Sequence, residues 1–254
     1  MENQTLFQPD ELPMEKLAKL GISEEKLRAM PKELTVTLLE GRPTPLFMAA
    51  VTEADGRVTT WPLRAQMVRD ETGNVLLMTY PVRREIANDL QLRSSELERV
   101  KAGEVIRTEV MENGERKQRY VQLDRATRSL MYRNVASVPV GEKLRDMERI
   151  RDIGLGANQK QAILEGKPVE LTLDDTRVTV GVDLREPQGF RVVNGSMEEW
   201  ERQQKIRYDN SHEEFMGYVM TDENRWEYQK IVERQSGGSR QQSETEKQGR
   251  GMRR

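Results

Sequence analysis

A weak internal repeat, with a period near 62 residues, restricts the fold of this chain more than any other feature. A glycine recurs at Gly41, Gly103 and Gly166, with spacings of 62 and 63 residues. An apolar residue lies three positions before each glycine and another seven positions after it: Leu38 and Met48, Val100 and Val110, Ile163 and Leu173. Because glycine readily adopts the left-handed backbone that ends helices, each of the three predicts a helix stop. We therefore expect three copies of one structural unit.

Three short strand-like segments follow each glycine. The turn-forming pairs Asp55-Gly56 and Asn113-Gly114 separate the first two segments in two of the units. In the third unit, Val178, Val180 and Val182 alternate with more polar residues, as in a strand with one buried face. The alternation predicts antiparallel sheets with one buried and one solvated face. We expect the helix of each unit to cover the buried face.

These patterns predict an α+β fold of three small helix-plus-antiparallel-sheet units in tandem, with a short helical C-terminus and a disordered tail. Capping signals at Ser196 with Glu199, and at Thr221 to Glu223, predict two C-terminal helices. The residues after 235 include no aromatic residue and no Ile, Leu or Val, which is typical of disorder. The predicted divisions are a leading helical segment at 1–40, two αβββ-like units at 41–138 (the helix of the first lying within the leading segment), a third unit at 139–195, an aromatic-rich helical C-terminus at 196–235 and a disordered tail at 236–254.

The composition disfavours several classes of function. The chain has no cysteine and one histidine, so a zinc site, a thiol nucleophile and disulfides are not expected. Charged residues make up 33% of the chain, so no pair of carboxylates can be singled out as an acid and a base. Gly154 and Gly156 lack the third glycine of a dinucleotide-binding loop. We therefore expect no catalytic residue, no metal and no cofactor, and a protein that is not an enzyme.

A signal peptide and a membrane-spanning segment are also not expected. Its first residues include no basic start and no apolar run, and no segment approaches 18 consecutive apolar residues. These features predict a cytoplasmic protein that does not associate with a membrane.

A basic segment with interleaved tyrosines lies between residues 116 and 133. Its cationic residues are Arg116, Lys117, Arg119, Arg125, Arg128 and Arg133. Such a hairpin can bind a nucleic-acid backbone and stack bases on Tyr120 and Tyr132, provided that the six cations share one surface. A solvated sheet face with edge-protecting charges explains the same pattern. The acidic flanks and the sequence pI of about 5.8 favour that second interpretation.

The predicted C-terminal helices hold six of the thirteen aromatic residues of the chain. Five of the six are candidates for docking a protein partner: Trp200, Phe215, Tyr218, Trp226 and Tyr228. An amphipathic helix face can bind a partner groove. The same residues are equally consistent with a small satellite core that holds these helices against the third unit.

Several segments resemble an uncharacterised family that is carried on conjugative transposons and related mobile elements of anaerobic gut bacteria. The segments that carry the resemblance are 7–13, 39–44, 80–86 and 120–124. Residues 158–169 resemble a second uncharacterised module that often follows the first. Together the similarities span residues 6 to 195. The resemblance implies a mobile-element setting, in some cases beside DNA-processing enzymes, and it implies no catalytic residues.

These considerations predict a non-enzymatic accessory or adaptor module of a mobile genetic element, with an unidentified protein partner. The exposed sheet faces and the aromatic C-terminal helices are its expected working surfaces. The alternative is a nucleic-acid-binding accessory protein that uses the basic hairpin at residues 116–133.

Overall fold

The computed structural model describes residues 5–52, 55–112, 114–151, 154–173, 176–212, 216–221, 223 and 225–231. Within them the chain forms one sheet of five strands and two sheets of three strands. Each sheet contains an antiparallel meander of three consecutive strands, and a helix precedes each meander. The predicted α+β fold with three small helix-plus-sheet units is therefore confirmed. The predicted disordered tail at 236–254 and the turn residue Asn113 lie outside the described residues.

The first unit combines three short helices with a meander. Its elements are α1 (Met14–Lys19), α2 (Glu24–Arg28), α3 (Lys32–Leu39), β1 (Phe47–Thr52), β2 (Val58–Arg69) and β3 (Val75–Pro81). The side chain of Ser23 accepts a hydrogen bond from the backbone N–H of Lys26 and so caps α2. Leu34 and Leu38 of α3 pack with Phe47 under one face of the sheet. The first core therefore lies between the helices and the sheet.

The second and third units repeat this order. The second unit contains α4 (Ser94–Lys101), β4 (Ile106–Glu112), β5 (Glu115–Asp124) and β6 (Ser129–Asn134). The connecting helix α5 (Val140–Arg151) leads to the third unit, with α6 (Ala157–Leu164), β7 (Val169–Leu173), β8 (Thr176–Val182) and β9 (Phe190–Asn194). The helix that precedes each meander ends two residues before a repeat glycine, at residues 39, 101 and 164. Each of these glycines has a positive φ, of +73°, +99° and +92° in chain order. The helix stops predicted from the repeat are confirmed.

Only the first of the two predicted C-terminal helices forms, and the prediction of the second is wrong. α7 (Met197–His212) is present, but β10 (Met216–Met220) and β11 (Trp226–Lys230) form a hairpin instead of a helix. The hairpin joins the first sheet, where β10 lies parallel to β1 through the pair Phe47 and Tyr218. Gly217 permits this contact, since a Cβ there would lie 2.6 Å from the carbonyl oxygen of Leu46. The alternation of side chains with a period of two and the pairing with β1 therefore determine a hairpin here, although the local capping signal predicts a helix.

The expectation of one solvated face fails for the second sheet and for part of the first. Val121 of β5 faces the core that includes Val100 of α4. Its neighbour Tyr120 faces the opposite way, into a core that includes Val180 of the third sheet. Tyr80 of the first sheet joins that same core. Because neighbouring units cover the second faces, much of the sheet surface is unavailable as an external working surface.

Candidate functional site

The three units meet around a cleft of about 890 Å³. The loop that follows each repeat glycine reaches this cleft: Arg42 and Pro43 line it in the first unit, Glu104 in the second, and Lys167 and Pro168 in the third. These loops occupy equivalent positions in the repeat. The same structural element therefore contributes to the one site from each of the three units. The N-terminal half of α7 forms a further wall, which includes Trp200.

Two of the repeat glycines make close contacts at the cleft. At Gly103 a Cβ would lie 2.5 Å from Nη2 of Arg125, whose guanidinium donates a hydrogen bond of 3.1 Å to the carbonyl oxygen of Ala102. Arg125 therefore binds the carboxyl end of α4, which attracts cations. At Gly166 a Cβ would lie 2.7 Å from the carbonyl oxygen of Val105 in the second unit. The glycines thus end helices and also permit contact between elements.

A buried polar network holds the three units together beside the cleft. The amide nitrogen of Gln66 donates to the carbonyl oxygens of Gly41 and Leu184, at 2.9 and 3.0 Å. The amide oxygen of Gln122 accepts the backbone N–H of Leu184 at 2.7 Å. The first and the second unit therefore both form hydrogen bonds to the backbone of one residue of the third unit, Leu184.

The loop after β8 also contains oppositely charged residues in direct contact. Asp183 is fully buried and accepts two hydrogen bonds from Arg185, at 2.9 and 3.0 Å. Burial alone would lower the pKa of Arg185, but the charge and the hydrogen bonds of Asp183 outweigh it and raise this pKa. Gln204 of α7 also contacts both residues. Arg185 is therefore a fixed cation in the wall of the cleft.

The six cationic residues of the 116–133 segment do not share one surface. Arg119 is 8% exposed and donates two hydrogen bonds to Glu112. Arg133 is 5% exposed and donates to the carbonyl oxygens of residues 184, 186 and 187 in the third unit. Burial lowers the pKa of Arg133. Both guanidiniums have structural contacts inside the protein.

The other four cations lie at separate places. Arg116 and Lys117 point to opposite faces of β5, as neighbouring strand residues do, and each forms an ion pair of 3.7 Å with a glutamate. Arg125 binds the end of α4, and Arg128 donates to the carbonyl oxygen of Arg84. Of the six, only Arg125 lines the cleft.

The aromatic candidates are divided between two parts of the fold. Trp200 is 5% exposed and packs under the guanidinium of Arg191, 5.0 Å from its ring centre. Tyr218, Trp226 and Tyr228 lie in the C-terminal hairpin, and Phe215 lies outside the described residues. The satellite core therefore exists, but for the hairpin it forms against the first unit, through Trp226 and Phe47, instead of the third.

Two further observations concern metals and membranes. Among the residues that the structure describes, no group of three or more His, Cys, Asp or Glu side chains is placed to hold a metal ion. In that same part of the chain, no helix combines the length and the apolar character that crossing a membrane requires.

The cleft was missed by the sequence interpretation, although its signal is present. A charged residue follows each repeat glycine, namely Arg42, Glu104 and Lys167. The loops could be recognised as equivalent from the repeat alone. Their convergence depends on how the units pack, and no local pattern encodes that.

The comparisons with known proteins concern mainly the first unit. Residues 7–91 match the model of a family described as protein of unknown function, DUF4099. No curated protein and no solved structure matches the chain. The match begins ahead of the first helices and ends after β3, so it includes the first unit as the structure defines it. The first unit is therefore similar to an uncharacterised domain family, as the resemblance of its sequence implies.

Proposed function

We propose that this protein is a non-enzymatic interaction module, an accessory or adaptor protein that binds a protein partner in the cleft between its units. The observation that carries the proposal is the convergence of three equivalent loops, after Gly41, Gly103 and Gly166, on one cleft. In proteins built from repeats, equivalent loops on one face commonly form the binding surface. The volume of about 890 Å³ lies within the usual range of ligand sites.

The proposed setting is a mobile genetic element. The sequence resemblance to a family carried on conjugative transposons supports it, and the match of residues 7–91 to a family of unknown function agrees with that resemblance. An adaptor in such a setting would bring together proteins whose genes lie near its own.

A steric variant tests the cleft as the binding site. Glu201 is an exposed residue of α7 that lines the cleft, and Glu198 is an exposed residue of the same helix outside the lining. We would co-express the protein with the products of neighbouring genes and measure which co-purify. We expect Glu201→Trp to lose a bound partner and Glu198→Trp to retain it. Equal recovery by both variants would show that the cleft is not the binding site.

Nucleic-acid binding by the 116–133 hairpin is the alternative function. The observation in its favour is the exposure of Arg116, whose side chain is 77% accessible at the far end of the hairpin. The burial of Arg119 and Arg133 leaves fewer cations for phosphate contacts than the sequence predicts. Adaptor function therefore has the stronger support.

A further inference from the structure

We propose that the cleft binds a carboxylate of an acidic peptide segment, through Arg64, Arg42 and Lys205. This inference rests on the proposed interaction function and adds the chemistry of the partner. All three cations line the cleft. Arg64 and Arg42 come from the first unit, and Lys205 comes from α7.

Arg64 carries the argument because its hydrogen-bonding capacity is unused within the described residues. Its side chain is only 15% exposed, and its one partner there is Asp124, at an Nη1–Oδ1 distance of 3.6 Å. That distance is too long for a hydrogen bond. Its Nε is buried and also has no hydrogen-bond partner in the described part of the chain. Arg64 lines the cleft, and no nitrogen of its guanidinium has a hydrogen bond to a described residue, so its accessible donors can bond to an acceptor that enters the cleft.

The other two cations are also available. Arg42 forms ion pairs with Glu40 and Glu186 at 3.9 and 3.7 Å, and its side chain is 50% exposed. Both distances exceed that of a hydrogen bond, so the donors of Arg42 can bond to a ligand. Lys205 is exposed, and its ammonium has no ion pair with any residue that the structure describes. Arg185 is less available to a ligand than these cations, because its guanidinium already donates two hydrogen bonds to Asp183.

The charges in the lining favour an anionic ligand. Four carboxylates, those of Glu104, Asp124, Glu186 and Glu201, line the cleft together with six cationic side chains. Asp124 lies next to Arg64, and Glu186 lies next to Arg42. Because the cationic side chains outnumber these carboxylates, the lining as a whole attracts an anionic group. A carboxylate satisfies the arginine fork with two parallel hydrogen bonds.

The remaining lining suits the non-polar parts of a peptide. Pro43, Pro168 and Met197 line the cleft beside the ring of Trp200. Ligand sites typically combine such apolar walls with a few polar groups that fix orientation. The partner we propose is therefore a short segment in which acidic and apolar residues lie side by side.

Fluorescence anisotropy with labelled peptides tests this assignment. One peptide alternates glutamate and leucine, and the second has glutamine in place of each glutamate. We expect the protein to bind the acidic peptide at least about tenfold more tightly than the neutral one, and less tightly as salt rises. Arg64→Gln and Lys205→Glu should each weaken binding by about tenfold or more. Arg145→Glu, an exposed change on α5 outside the lining, should leave binding unchanged.

Three results would overturn the inference. They are equal binding of the two peptides, full binding by both cleft variants, and no binding of the acidic peptide at millimolar concentration. A fourth result, displacement of the acidic peptide by inorganic pyrophosphate at a lower concentration than by unlabelled acidic peptide, would also overturn the inference and assign the cleft to phosphate groups. Circular dichroism of Arg64→Gln, with Lys205→Glu as a surface variant, separates lost binding from lost folding. If Glu201→Trp loses a natural partner but the acidic peptide does not bind, the adaptor function stands and the carboxylate chemistry fails.

Discussion

The side-chain amide of Gln66 donates a hydrogen bond of 3.0 Å to the carbonyl oxygen of Leu184, 118 residues further along the chain. The same amide nitrogen bonds to Gly41, and the amide oxygen accepts the hydroxyl of Tyr80 at 2.9 Å. Gln66 is fully buried, so these bonds replace all of its contacts with water. A single side chain thereby joins a repeat glycine, its own sheet and the third unit.

We expect Gln66→Ala to destabilise the protein by about 2–4 kcal/mol, because it removes three buried hydrogen bonds, with Gly41, Leu184 and Tyr80. Of these three partners, only the carbonyl oxygen of Leu184 has a second donor among the described residues, from Arg133. Urea unfolding at neutral pH measures this change. Gln118→Ala is the control, since Gln118 of β5 bonds to the exposed side chains of Arg107 and Glu109 on β4. A loss no larger than that of Gln118→Ala would mean that the junction contributes little to stability.

Gly166→Ala isolates the contact between the second and third units. Gly166 and Gly114 both have a positive φ, of +92° and +82°, so alanine is strained at either position. A Cβ at Gly166 would also meet the carbonyl oxygen of Val105 at 2.7 Å, whereas a Cβ at Gly114 would have no described atom beyond the adjacent residues within 4 Å. We expect losses of about 3 kcal/mol or more for Gly166→Ala and about 1 kcal/mol for Gly114→Ala. Thermal or urea unfolding of the two variants compares them, and similar losses would contradict the role of the contact.

Tyr218 is expected to make stability depend on alkaline pH. Its hydroxyl donates to Glu33 at 2.7 Å, and this hydrogen bond, followed by burial, raises the pKa of Tyr218 to about 12 from 10.0. Since the folded pKa lies above the unfolded one, the contribution is fully present below pH 10.0 and is lost as pH rises through about 12. The stability difference between the wild type and Tyr218→Phe should shrink across that window.

Urea unfolding at a series of pH values measures this difference. Tyr228→Phe is the matched control, because the hydroxyl of Tyr228 has no hydrogen bond with the described residues. A difference for Tyr218→Phe that stays constant through the window would show that the bond to Glu33 does not form in solution.

The nucleic-acid alternative has a direct test. Because Arg119 and Arg133 are bonded inside the protein, we expect no salt-sensitive binding of labelled single-stranded or duplex DNA in fluorescence anisotropy at low and moderate salt. Binding that falls steeply with salt and disappears in an Arg116→Gln, Lys117→Gln double variant would establish the alternative. Arg145→Gln, on α5, controls for the general loss of positive charge.

Elements with strong local signals could be predicted from the sequence. Glycine at the repeat positions ends helices through its own backbone freedom, so Gly41, Gly103 and Gly166 fixed the period and the helix ends. The meanders followed from turn residues and alternation. Such signals act within a few residues and need no knowledge of packing.

Features that depend on packing could not be predicted in this way. The segment with Tyr218 and Trp226 carries both a helix-start signal and strand alternation, and only its place beside β1 decides between them. Both faces of β5 are buried only because the third unit packs against the second of them. Arg119 and Arg133 share a basic segment in the sequence, yet one binds Glu112 and the other binds backbone of another unit.

The C-terminal hairpin has a consequence for the order in which the protein matures on the ribosome. The backbone N–H of Tyr218 bonds to the carbonyl oxygen of Leu46 at 2.8 Å, so β10 occupies an edge of the sheet that is synthesised first. That edge stays open while the second and third units are translated, and an unpaired edge invites association with other chains. Of the three described sheets, the one translated first is therefore completed last, when the hairpin covers its open edge.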